Sequence, residues 1–162
     1  MGWTRRKTTT LLAVVSALAV LAGCGTTIPA DPDGTLDRVT GGTLRVGVSH
    51  QPPWTDITGD GEPSGTEAGL VRDFADSLDA EVEWETGGEE HLIHLLEEEE
   101  LDVVIGGLTK DSPWERQVAL TTSYREATGP AGETSQHVMA VPMGENAFMT
   151  ALERFLLAEG EA

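Results

Sequence analysis

The sequence predicts an α/β fold in which a mixed, mainly parallel sheet is flanked by helices. Between residues 43 and 105, short strand-like runs alternate with segments of helical periodicity. Helices between successive strands imply crossover connections, and crossovers leave the strands parallel. The clearest strand, residues 101–105 (LDVVI), is almost continuously apolar and ends in Gly106-Gly107. That is the pattern of a strand covered on both faces whose backbone must then turn sharply.

The chain opens with residues that are not part of the fold. Arg5, Arg6 and Lys7 make a positive segment, residues 11–20 an apolar one, and Leu21-Ala22-Gly23-Cys24 has the pattern of a lipobox. At a lipobox, a secretion signal is cut before a cysteine that is then acylated. Residues 1–23 therefore read as a lipoprotein signal peptide, and Cys24, the single cysteine, as the lipidation site. This expectation anchors the protein to the cell membrane, facing outside the cytoplasm, with no internal disulfide. Residues 24–42, rich in Gly, Pro, Asp and Thr, read as a flexible tether, leaving residues 43–162 as the domain.

Residues 43–48 (TLRVGV) form the first strand, ended by Pro52-Pro53 before Trp54. Leu70, Val71, Phe74, Ala75 and Leu78 recur at helical spacing, with Arg72, Asp73 and Asp76 opposite them. Residues 81–85 (EVEWE) alternate as a second strand, and Gly87-Gly88 breaks it. Leu92, Ile93, Leu95 and Leu96 form the apolar stripe of a second helix over residues 91–100, whose closing glutamates oppose the helix dipole and should fray it. After the strand at 101–105, residues 117–124 (QVALTTSY) form a fourth extended segment. Residues 125–136 are a loop by composition, and residues 137–142 (HVMAVP) a fifth extended segment. Asn146 is placed to cap a last helix that aligns Phe148, Leu152, Phe155 and Leu156 on one face.

The formal net charge is −18, and losing Arg5, Arg6 and Lys7 with the signal makes the mature chain more acidic still. Such a balance argues against nucleic acid or an anionic membrane surface as partner. No nucleophile stands near a base at motif spacing, and there is no phosphate loop, so a binding protein is expected rather than an enzyme, with no cofactor. His91 and His94 lie three apart beside Glu90 and Glu97, a spacing that can ligate metal. The apolar stripe between them turns both toward solvent, so no metal site is expected.

Beyond the glycine pair, Ser112-Pro113-Trp114-Glu115 reads as a capping box with proline at the first helical position. Strand end, glycines, Thr109 and helix N-terminus together describe a cradle for a small polar ligand, suited to an anionic group.

Three blocks resemble the family 3 extracellular solute-binding proteins, the receptors of ABC importers for amino acids and other polar solutes. They are LRVGV at 44–48 leading to Pro52-Pro53-Trp54, GTEAGL at 65–70, and LDVVIGGLT at 101–109 followed by residues 117–124. Residues 137–157 are similar to that family's last strand and helix. The resemblance implies a periplasmic-binding-protein type 2-like lobe, a small polar solute such as an amino acid, and an ABC permease as partner. It also implies roles: Trp54 as a stacking wall, Gly107 as a source of backbone groups, and Thr109 as a hydroxyl for a carboxylate or amine. The family's arginine for a ligand carboxylate falls, counting from Thr109, on Trp114, or on Arg116 if one residue is inserted. Arg116 is the candidate, because an indole cannot replace a guanidinium. On the residues alone, Trp54 also reads as a hydrophobic plug at the sheet's open end, Gly106-Gly107 as a tight strand exit, and Arg116 as a surface partner of Glu115 or Asp111.

The family's chain leaves this lobe after the segment matching residues 117–124, builds a second lobe and returns. Here only residues 125–136 fill that interval, which implies a single lobe with a short hairpin-like connection. If two lobes shared a micromolar site of about −8 kcal/mol equally, one would keep about −4, in the millimolar range. Efficient use would then call for a permease, a homodimer or an abundant ligand. The competing expectation is an interaction or regulatory lipoprotein that keeps the lobe as scaffold.

Overall fold

The computed structural model describes residues 31–59, 61–129 and 132–160. The signal, Cys24 and the first part of the tether lie outside the described residues. The helices are α1 (Thr35–Val39), α2 (Thr66–Ser77), α3 (Glu89–Glu97) and α4 (Asn146–Gly160). The strands are β1 (Thr43–Val48), β2 (Glu81–Thr86), β3 (Val103–Ile105), β4 (Ala119–Leu120), β5 (Arg125–Thr128), β6 (Thr134–His137) and β7 (Ala140–Val141).

Five strands form one sheet in the order β2-β1-β3-β7-β4. β1 lies parallel to both β2 and β3, with Val46 opposite Trp84 and Val48 opposite Ile105. β7 inserts antiparallel between β3 and β4, pairing Ala140 with Val104 and with Leu120. The last hydrophobic strand therefore closes the sheet that the first strands opened.

Strand alternation divides the core into two layers. Leu44, Val46, Val48, Val103 and Ile105 pack on one face with Val39 of α1, Phe74 of α2, and Phe148 and Leu152 of α4. Val104 and Ala140 face the other way, onto Leu92, Ile93 and Leu96 of α3. Gly47 points to that second face, where an added Cβ would lie 2.7 Å from Leu101 Cδ1 and 3.2 Å from Leu92 Cδ2. A glycine there is what lets α3 settle on the sheet. At the N-terminal end of β3, the Asp102 carboxylate accepts hydrogen bonds from Arg38 at 2.5 Å and Arg45 at 2.6 Å.

Part of the expected tether belongs to the fold. Val39 is fully buried, and α1 is bound to the start of α4 by two carboxylates. Asp31 accepts from the amides of Leu36 at 2.8 Å and Phe148 at 3.2 Å, while Glu145 accepts from those of Asp33 and Thr35, each at 3.1 Å. Asp, Gly and Thr serve caps as readily as linkers, which is why composition suggested a tether. Asp31, rather than Asn146, satisfies the Phe148 amide in the first turn of α4.

The stretch 125–136, expected as a loop, contributes a hairpin. β5 and β6 pair antiparallel from Arg125↔His137 to Thr128↔Thr134. Their polar, largely exposed residues carry no apolar alternation to betray a strand. The second helix ends at Glu97 rather than 100, and Glu99 sits at φ 60°, in keeping with the fraying expected from a run of acids. The capping box is not formed. Pro113–Arg116 is a four-residue 3₁₀ turn closed by the Gln117 amide on the Trp114 carbonyl, so no α-helical first turn exists for the Ser112 hydroxyl to cap. Ser112 Oγ is buried without a hydrogen-bond partner. No described helix is long and apolar enough to cross a membrane.

Candidate functional site

The three parallel strands deliver their C-terminal ends to one edge of the sheet, the place where open α/β sheets hold ligands. There the loops after β1 (Ser49, His50, Gln51), β2 (Gly87, Gly88, Glu89) and β3 (Gly106, Gly107) line an open depression of about 440 Å³.

The glycine exit from β3 is occupied from within. Oε2 of Glu67, in the first turn of α2, accepts the amides of Gly106 at 2.8 Å and Gly107 at 2.9 Å, and its Oε1 accepts the Tyr124 hydroxyl at 2.6 Å. Glu67 is fully buried. Burial raises its pKa above the ordinary carboxylate value, against the three donors that favour the ionised form. The two amides of the glycine exit are thus taken by an intrinsic carboxylate, and the helix N-terminus that was to complete the expected cradle is a 3₁₀ turn. Both glycines have positive φ, at 155° and 69°, and a Cβ on Gly106 would fall 1.8 Å from Ser49 Oγ.

The start of α2 is held just as closely. Gly65 stands at φ 110°, where a Cβ would come within 2.4 Å of the Trp54 carbonyl. The amides of Thr66 and Glu67 donate to the carbonyls of Pro53 and Trp54. These bonds satisfy helix-end donors that would otherwise seek a ligand.

Trp54, Gly107 and Thr109 come together. The half-buried indole lies across Gly107, where a Cβ would meet Trp54 Cδ1 at 2.9 Å, and it stacks on His137 with ring centroids 3.8 Å apart. Thr109 pairs with His137 in an antiparallel bridge. His137 is buried with Nδ1 unpartnered, and burial lowers its pKa from the ordinary 6.5. Arg116 stands apart: it is exposed on the 3₁₀ turn and does not line the depression. Trp114, at the position counted directly from Thr109, donates its indole N–H to Glu89 Oε1. His91 and His94 form no metal-binding cluster among the described residues, and His94 lies 3.5 Å from Glu98 one turn along α3.

A lobe of this topology, with its loops gathered at the strand ends, invites comparison with known binding proteins. The family model of the bacterial extracellular solute-binding proteins, family 3, matches residues 44–159. The chain belongs to that family.

This family 3 protein is similar to an arginine-bound point variant of domain 1 from TmArgBP, at 25% identity and a TM-score of 0.69, over 78% of this chain and 99% of that one. Against the arginine-bound form of the same domain the identity is 26% and the TM-score 0.65, over 74% of this chain and 95% of that one. A Salmonella typhimurium periplasmic binding protein with high arginine specificity shares the fold, at 13% identity and a TM-score of 0.64, over 74% of this chain and 94% of that one. No curated protein matches the sequence.

Sequence reasoning missed Glu89 on the lining of the depression, and Glu67, Tyr124 and His137 among the groups packed behind it. One signal was available: Glu67 follows Gly65 by two residues inside a block already quoted for the resemblance. Nothing in the chain pairs Glu67 with Tyr124 before the fold does, since 57 positions separate them.

Proposed function

We propose that this family 3 protein is a single-lobe receptor for a small amino-acid-type solute, bound at the depression over the ends of β1, β2 and β3. Cys24 anchors it to the outer face of the cell membrane, and it hands its solute to an ABC permease. The observation that carries the reading is the match to an isolated receptor domain that is itself arginine-bound, covered over 99% of its length. A lobe of this extent and topology supports solute binding without a second lobe closing over it. In this reading Gly107 lines the depression, and Trp54, packed across Gly107, stands behind it with Thr109 further along the same loop. The open side awaits the permease or a second copy.

Isothermal titration of the chain from residue 25 onward with arginine, lysine, glutamine and glutamate tests it. Saturable heat with at least one of them is expected, in the millimolar to micromolar range. Heats of dilution alone across the panel would leave the scaffold reading in its place. Replacing Cys24 with serine should release the protein from membranes into the medium.

A further inference from the structure

We propose that the rim recognises the positive charge of its solute through Glu89 and makes no receptor for an α-carboxylate, so that its ligands are organic cations, amines or guanidines, whether or not they are amino acids. The inference rests on the reading of this depression as the solute site and deepens it.

The argument begins with what a ligand carboxylate would need. The amides of the glycine exit and of the first turn of α2 are already spent, which leaves neutral donors such as Ser49 and Gln51 on the lining. Both strand-exit amides, Gly106 and Gly107, donate to one oxygen of Glu67, and the first amides of α2 donate to Pro53 and Trp54. The N-terminus of α3 carries two acids of its own in the first turn, Glu89 and Glu90, which answer the helix dipole before any ligand arrives. No lysine or arginine lines the depression among the described residues. Arg116 is exposed elsewhere on the 3₁₀ turn, and the position counted from Thr109 holds Trp114, whose indole is committed to Glu89.

What a cation needs is present. Glu89 is the one carboxylate among the described residues that line the depression. It is half-buried, and its Oε1 accepts the Trp114 indole, which fixes the side chain while Oε2 accepts no bond from the described residues. With Oε1 held by one neutral donor, Oε2 is left to accept a ligand N–H. His50, the other ionisable group on the lining, stands 3.7 Å from Asp56, so its own positive charge when protonated is answered locally. The field of a chain with net charge −18 adds a general attraction for cations.

The test is a titration of the wild-type chain with four ligands of matched shape: L-arginine, L-argininamide, agmatine and L-citrulline. Argininamide and agmatine, which lack the carboxylate, should bind within about threefold of arginine, and citrulline, whose side chain is uncharged and whose single ammonium is offset by its own carboxylate, roughly tenfold or more weakly. In Glu89→Gln the advantage of arginine over citrulline should vanish, whereas Trp114→Phe, which removes the indole donor and leaves the charge, should keep it. Arginine binding roughly tenfold tighter than argininamide would overturn the proposal and leave the site standing. Equal binding of arginine and citrulline would overturn it in the same way. Failure of all four ligands to bind would overturn the solute site along with it.

Discussion

The Tyr124 hydroxyl donates to Glu67 Oε1 at 2.6 Å, tying the residue before the hairpin to the first turn of α2. The other oxygen of the same carboxylate holds the amides of Gly106 and Gly107, so one side chain fixes helix, strand exit and hairpin base together. Replacing Glu67 with alanine strands two backbone donors and a hydroxyl, and should cost about 3–5 kcal/mol in chemical denaturation. Tyr124→Phe keeps the ring and deletes one bond to a carboxylate, for a loss of about 1–3 kcal/mol. A Glu67→Ala protein within 1 kcal/mol of wild type, roughly the worth of one ordinary hydrogen bond, would show that the rim does not depend on this carboxylate.

His137 sets a pH dependence of definite sign. Burial lowers its pKa below 6.5, so the unfolded chain takes up the proton at a higher pH than the folded one. Its contribution is complete above the unfolded value and is lost as pH falls from about 6.5 toward the depressed folded value. Urea midpoints between roughly pH 7 and pH 5 should fall for wild type and fall less for His137→Phe, which keeps a ring beneath Trp54. Parallel slopes would show that another group is responsible.

Glu67 acts with the opposite sign. Its raised pKa, caused first by burial, means that the folded state holds the proton to higher pH than the unfolded one. Stability from this group is complete below the unfolded value and declines as pH rises through the folded one. Glu67→Gln removes that titration and keeps an oxygen for the glycine amides. Its stability relative to wild type should therefore rise as pH climbs from about 4 upward. A difference independent of pH would contradict the assignment.

Much of this was legible in the sequence because each main element carries a local signal. The continuous run at 101–105 and the helical stripe through Val71, Phe74 and Ala75 report their burial directly. The return of Ala140 and Val141 to the first sheet was legible only through the family resemblance, since antiparallel insertion leaves no mark on two apolar residues. The hairpin and α1 were not legible. Their stability comes from pairing across Arg125↔His137 and from the distant carboxylates of Asp31 and Glu145, neither of which is a property of the local residues. The site shows the same division. Gly106-Gly107 marked a strand exit with backbone amides to offer, and only the fold could reveal that Glu67 already takes them.

Asp102 offers a sharper test of the sheet's other end. Its side chain is 1% exposed and answers two arginines, Arg38 and Arg45, themselves 42% and 30% exposed. Burial alone would raise its pKa, but the hydrogen bonds from Arg45 and Arg38 outweigh it and hold the carboxyl below its ordinary value. The stability it contributes is present above the unfolded pKa of 3.8 and is lost as pH falls through the lower folded value. Asp102→Ala should cost about 1–3 kcal/mol at neutral pH, because it leaves the Arg45 amide and two partly exposed guanidiniums without their acceptor. Replacing Arg38 alone should cost less, since Arg45 still pairs the buried charge.

The last prediction concerns where the domain begins. Asp31 and Glu145 each accept two amides, and together they bind α1 to the start of α4. Burial raises the pKa of Asp31, and Glu145 beside it adds to the rise; Glu145 itself is lowered, because the amides of Asp33 and Thr35 outweigh its burial. A protein starting at residue 43 loses both Asp31 and Val39, and leaves Glu145 and the Phe148 amide without partners. Caps at about 1 kcal/mol each and a buried valine at about 2 put the loss near 4 kcal/mol. A protein starting at residue 31 keeps every one of these contacts and should melt well above the one starting at 43. Equal melting temperatures for the two would return residues 31–42 to the status of a tether.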